Sequence, residues 1–235
     1  MTSPDLQPLA IAPAGELLED LTVEKDGRGI FFRRRVPAAY LEQMQVSPGL
    51  GIFFRYDGER QKETLLKIAR MDCGNIVIAQ TSEAEIVGYV TSHPIMPEER
   101  WAVLNQPSEI NPQGTLFVCE FGAVEVSRQY RGWGLSTRLM RAAFGTDSWY
   151  ADKIVVSTEL AWHWDYEQAG VNKYAYRNML RKVISSADFE ALDTDEPNIL
   201  MDPANMFMVR IGPEVPSPIQ QRFFSLLHKD NRWGF

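Results

Sequence analysis

The stretch "VEVSRQYRGWGLSTRLM", residues 124–140, limits the possible folds more than any other part of the chain. Alternating apolar residues lead into a loop holding Arg128, Arg131, Gly132 and Gly134. The loop passes directly into Leu135, Leu139, Met140, Ala143 and Phe144, which are set at helical spacing. A strand that turns so abruptly into an amphipathic helix demands a layered structure with helix packed on sheet. Gly132 and Gly134 let consecutive backbone N–H groups converge on a bound oxygen, and the first helical turn adds N–H groups with no intrahelical acceptor. Arg128 and Arg131 supply charge and Ser136 a hydroxyl, so the junction reads as a cradle for phosphate. A turn that merely joins strand to helix would account for two glycines alone. The flanking arginines and the patterned helix favour the cradle.

The rest of the chain supplies the layers. Strands are predicted at 29–36, 75–80, 85–93, 115–126, 153–160 and 205–212, with Gly122 marking a bulge in the fourth. Helices are predicted at 37–46, where Pro37 takes the first helical position, and at 58–71, 135–145, 171–184 and 218–229. Residues 49–57 suit a turn with a short extended piece, and 94–114 form a long proline-bearing loop. Hairpin-linked strands interleaved with helices imply an α/β protein of α+β type, with a mixed, mostly antiparallel central sheet flanked by helices. Residues 1–26 read as a weakly ordered arm, 27–212 as one domain and 213–235 as a helical extension.

Charge and cysteine usage remove several functions. A formal net charge of -7 leaves no global basic footprint for nucleic acid, so any anion site is local. Cys73 and Cys119 lie outside metal-ligand spacing and read as reduced core thiols. No metal pattern is present. The first twenty residues lack the basic and apolar regions of a signal peptide, and no stretch matches the ~20 apolar residues of a membrane span. A cytoplasmic protein is expected, with no membrane partner. Phe53, Phe54, Phe207, Phe223 and Phe224 read as core, and "RRR" at 33–35 as a solvated strand end.

A GxxxxGK[ST] phosphate loop is absent, and a GxGxxG dinucleotide loop fails at Thr137. "QYRGWG" instead resembles the Q/R-x-x-G-x-G/A signature of GCN5-related N-acetyltransferases (GNAT), strengthened by Val126 ahead of Tyr130-Arg131-Gly132. Many members have a further glycine where Ser136 stands. "EFGAVEV", "VGYVT", "ERW", "STELAWHWD", "YRNM", "TDEPNI", "PANMFMVRIG" and "NRW" occur in the order found in the acetoin-utilisation acetyltransferases of that superfamily. The resemblance runs from about residue 27 to the carboxyl end. It implies a GNAT fold, acetyl-CoA as co-substrate, and acetylation of AMP-forming acetyl-CoA synthetase on its active-site lysine. It also implies a diphosphate loop of Arg128, Gln129, Arg131, Gly132, Trp133, Gly134, Leu135 and Ser136. The main chain at Val124 and Val126 would serve the pantetheine and the oxyanion.

Acetyl transfer to an amine needs a base, oxyanion donors and an acid for the thiolate. Glu120 interrupts an apolar strand, where burial would raise its pKa usefully. Glu125 is out of phase with Val124 and Val126 and is expected to face away from the cofactor. His163, set among Trp162, Trp164 and Asp165, reads either as a packed structural residue or as part of the lysine entrance, with Glu159 able to receive a proton. The superfamily commonly takes its acid from a tyrosine on the following helix. That makes Tyr176, and behind it Tyr174, the candidates. Acetylation of a small amine, or a module that only senses acyl-CoA, remain alternatives.

Overall fold

A computed structural model describes residues 14–25, 27–51, 58–145 and 148–228. Its strands are β1 (Glu16–Leu17), β2 (Val23–Lys25), β3 (Arg28–Arg34), β4 (Gln45–Val46), β5 (Asn75–Gln80), β6 (Glu85–Pro94), β7 (Val118–Val126), β8 (Ile154–Glu159), β9 (Glu190–Ala191) and β10 (Met206–Ile211). They join in the order β1–β3–β5–β6–β7–β8–β10–β9, with β2 beside β3 and β4 beside β6. Pairing is antiparallel except where β7 meets β8 and β4 meets β6. The helices are α1 (Ala38–Leu41), α2 (Gly58–Ala69), α3 (Leu135–Met140), α4 (Lys173–Ser185), α5 (Pro197–Leu200) and α6 (Ser217–Ser225).

Alternation along the strands divides the core. Val77, Ala79, Val90, Phe121, Val155 and Met208 turn to one face and pack against Leu135, Leu139 and Phe144 of the α3 region and Ile184 of α4. Their sequence neighbours turn to the other face and split into two separate clusters. Ile76, Ile78 and Tyr89 pack beneath Leu41 and Leu65 of α1 and α2. Val118, Ile154, Val156, Phe207 and Val209 pack beneath Trp101 and α6. Between these two clusters the middle of β7 is left uncovered, and a cavity opens there.

Several expectations change in the structure. Residues 16–25 are not a weakly ordered arm; β1 and β2 pair with β3, and Leu18 N–H donates to the Phe32 carbonyl. The first predicted helix stops at Leu41, because Gln45–Val46 is drawn into parallel pairing with β6. The 94–114 loop contains a 3-10 turn over Arg100–Asn105, and the helix from Leu135 widens into a π-helical segment over Arg141–Gly145. The described part of the carboxyl-terminal segment, residues 213–228, packs on the domain: Ile219 and Phe223 of α6 are fully buried against the sheet. Phe207 and Phe223 are core, but Phe224 is half-exposed on the outer face of α6. Phe53, Phe54, most of the 49–57 piece and the "NRW" motif lie outside the described residues. Cys119 is buried, which pushes its thiol up to about 12, whereas Cys73 is only half-buried. The "RRR" run is engaged rather than solvated: Arg34 forms a forked pair with Glu16, and Arg33 lies 5.5 Å above the Tyr40 ring.

Candidate active site

The site begins where two parallel strands part. β7 and β8 pair only from Val118↔Ile154 to Glu120↔Val156. Beyond that β8 stays with β10 and β7 stays with β6, so a gap opens in the sheet. Gly122 sits at the start of the gap as a bulge: Phe121 pairs with Ser92 and Ala123 with Thr91, leaving Gly122 as the extra residue. Only glycine fits, because a Cβ there would lie 2.8 Å from Thr91 Oγ1 and 3.2 Å from His93 Nε2. The bulge also resets the pairing phase. Ser127 N–H donates to the Val87 carbonyl, which turns residue 127 toward β6 and therefore the main-chain groups of Val126 and Val124 into the gap.

Three cavities meet at this gap. One of about 250 Å³ lies on the α3–α4 face, bounded by Val124, Val126, Gly132, Gly134, Ser136 and Tyr176. A small one of about 80 Å³ fills the gap itself. The third, about 370 Å³, lies on the opposite face between the two clusters, bounded by His93, Glu99, Glu120 and Glu196. The first shares Val124, Glu125 and Tyr176 with the second, and the second shares Gly122, Ala123 and His163 with the third. The three cavities thus adjoin one another from one face of the sheet to the other.

In sequence the chain is 34% identical to the acetoin utilization protein AcuA of Bacillus licheniformis over 165 residues, 70% of this chain and 73% of that protein. It is 34% identical to AcuA of Bacillus subtilis over 163 residues, 69% and 72% of the two chains. The crystal structure of an acetoin utilization protein from Exiguobacterium sibiricum matches with a TM-score of 0.79 at 27% identity, covering 90% of this chain and 94% of that one. No family model matches. The chain belongs to the AcuA family. The fold is shared with that solved acetoin utilization protein over nine-tenths of this chain.

In this AcuA-family chain Gly132 and Gly134 adopt φ of 81° and 72°, and a Cβ built on either meets nothing within 4 Å. Both glycines face open space, as a diphosphate cradle requires. Leu135 is buried, so it can offer the cavity only its main-chain N–H, whereas Ser136 borders the cavity directly. Arg131 borders the cavity and pairs with Asp165 at 3.1 Å; Arg128 lies 3.8 Å from the same carboxylate. The side chains of Gln129 and Trp133 serve the loop itself. Gln129 donates to Ser47 Oγ, and Trp133 packs edge-on to Tyr130 under Lys25.

Among the carboxylates, Glu120 borders the third cavity, and burial raises its pKa. Glu159 borders the gap and accepts a hydrogen bond from Ser157 at 2.8 Å; burial raises it as well. Glu125 corrects an expectation: it does not face away but borders both the first cavity and the gap. Strict alternation assigns residues to faces of a covered sheet, whereas at a free strand edge either face borders the opening. Burial pushes Glu125 up to about 8, against the pull of Arg131. Tyr176 lies at the boundary of the same two cavities, stacked on Trp164 at 5.8 Å, and burial pushes its hydroxyl up to about 12. Tyr174 is half-exposed beneath Lys173 and borders none of the three cavities. His163 is exposed and borders the gap and the third cavity.

His93 and Glu99 are site residues that local reading of the sequence passes over. His93 carries no motif, and only antiparallel pairing sets it against Glu120. Among the described residues no helix is long and apolar enough to cross a membrane, and no group of side chains could hold a metal ion.

Proposed function

We propose that the protein transfers the acetyl group of acetyl-CoA to a lysine amine of another protein, the active-site lysine of AMP-forming acetyl-CoA synthetase. The observation that carries this reading is the run of adjoining cavities across the sheet, which would allow two substrates separate entrances and one meeting point. On the α3–α4 side the N–H groups around Gly132–Ser136, with Arg131, would hold the diphosphate. The main-chain groups of Val124 and Val126 would meet the pantetheine amides and the thioester oxygen. On the other side Glu99, Glu120 and Glu196 border the acceptor entrance, and among the described residues no lysine or arginine does. That balance suits an ammonium group.

Within this reading the amine gives up a proton at the Glu120–His93 pair and attacks the thioester carbon. The C–N bond forms and the C–S bond breaks as Tyr176 protonates the departing thiolate. No covalent enzyme intermediate is needed, and Cys119 remains a buried thiol.

The rim of the acceptor entrance favours a protein over a polyamine. Trp162 is 51% exposed beside His163, and Leu200 and Met201, at 67% and 73%, follow Asn198 at the cavity wall. The two segments are tied together through Asn205, which accepts from Ala161 N–H and donates to the Asn198 carbonyl. Large apolar side chains presented around a binding entrance are characteristic of a protein contact. Replacing Trp162 with Ala and Leu200 with Ser should raise KM for a protein acceptor about tenfold, roughly 1.4 kcal/mol, and leave kcat unchanged.

The direct experiment incubates the protein with acetyl-CoA and purified acetyl-CoA synthetase and maps lysine acetylation by mass spectrometry. Acetylated spermidine with an unmodified synthetase would instead identify a small-amine enzyme. A tight complex without transfer would identify a binding module.

A further inference from the structure

His93 stands directly opposite Glu120 in the β6–β7 pairing, and both side chains border the acceptor cavity. Its Nδ1 lies 3.0 Å from the Pro94 carbonyl oxygen and 4.0 Å from Glu120 Oε2. A peptide carbonyl can only accept a hydrogen bond, so the hydrogen of the neutral ring resides on Nδ1. Nε2 is then the nitrogen that carries the lone pair. It is turned into the bulge, since a Cβ on Gly122 would lie 3.2 Å from it. His93 and Gly122 both border the acceptor cavity, and Gly122 also borders the gap, so the lone pair lies on the acceptor side beside the residue that joins the two.

Three features thus coincide: an N–H held by the Pro94 carbonyl, a lone pair beside the bulge, and a carboxylate 4.0 Å from Nδ1. The carbonyl orients the ring, and the carboxylate is near enough to stabilise an imidazolium by charge. The other titratable groups bordering the cavity are Glu99, Glu196, His163 and Tyr89, and Gln61, Asn198 and three threonines add polar atoms. Glu196 is engaged with Arg100 at 3.1 Å, and Gln61 with Tyr89 at 2.9 Å. Glu159 lies across the gap and is held by Ser157.

We propose that His93 Nε2 is the base that accepts the proton of the incoming ammonium, and that Glu120 stabilises the resulting imidazolium rather than taking the proton itself. The assignment rests on the acetyl-transfer reading above. The acceptor nitrogen loses two protons in all. One leaves to solvent through His93, and the other ends on the coenzyme thiol by way of Tyr176.

Two measurements decide it. The first is the pH profile of kcat/KM for the wild type, His93→Gln and Glu120→Gln, each first shown to bind acetyl-CoA normally. His93→Gln should lower kcat/KM at pH 7 by about 10²-fold and leave a rate that climbs steadily with pH. Glu120→Gln should keep the pH-dependent limb, with a smaller loss. The reverse pattern, in which Glu120→Gln removes the limb and His93→Gln retains it, overturns the proposal. The second is the ¹⁵N spectrum of the ring, which needs no turnover and so separates this assignment from the acetyl-transfer reading. A neutral His93 with its hydrogen on Nδ1 is expected; a hydrogen on Nε2 overturns the assignment. Failure of the wild type to acetylate any amine would overturn the acetyl-transfer reading instead.

Discussion

Gly132→Asp is expected to abolish binding of acetyl-CoA, while Gly132→Ala weakens it by about thirtyfold at most. A side chain at 132 enters open space rather than protein, because a Cβ there meets nothing within 4 Å. The backbone cost of φ 81° is common to both variants and amounts to about 1–2 kcal/mol for a residue with a side chain. What separates them is charge. A carboxylate about 4 Å from a diphosphate charge, at an effective dielectric near 20, is opposed by roughly 4 kcal/mol, about a thousandfold in affinity. Calorimetric titration with acetyl-CoA measures both variants. Equal affinities for the aspartate and alanine forms would show that no anion sits at this loop. A circular dichroism melt guards against misfolding.

Tyr176→Phe is expected to lower kcat by about 10²-fold with little change in either KM. Tyr176 borders both the α3–α4 cavity, where the coenzyme is proposed to bind, and the gap, and its ring is held against Trp164. Burial is the main reason its pKa rises to about 12, with Glu125 adding to the rise and Arg131 opposing it. At neutral pH it therefore keeps its proton, the state a donor to a thiolate must be in. Phenylalanine retains the stacking and removes only the proton. Steady-state kinetics with an acceptor of low-pKa amine would show the loss persisting, since the missing step concerns the leaving group. A variant whose KM for acetyl-CoA rose while kcat held would make Tyr176 a binding residue instead.

How much of this was legible depends on the range of each signal. The β7–loop–α3 junction was readable from local residues. Alternation, two glycines and helical spacing are properties of neighbours, and the bulge at Gly122 followed from a glycine inside an apolar strand. Glu120 was readable for the same reason, as a charge where an apolar residue belongs. Glu125 was misplaced because alternation assumes a strand covered on both edges, whereas β7 is bare on one side beyond Glu120. β1 and β2 were missed because strands of two and three residues carry no period; their order comes from pairing with β3. α6 read as an extension because nothing in its own sequence says that Phe223 meets Trp101, 6.0 Å between ring centres.

By itself the sequence determined the conformations that single residues demand: left-handed turns at Gly132 and Gly134, a break at Gly122, and an apolar stripe that commits α3 to the sheet. These needs are local, because φ and side-chain direction are settled within a turn or two of backbone. Only the tertiary structure decided that β7 and β8 part after three pairs, that the core leaves an opening beside Glu120, and that His93 faces that carboxylate across the ladder. Those outcomes depend on hydrogen bonds and packing between residues tens of positions apart, and such contacts exist only once the chain has closed on itself.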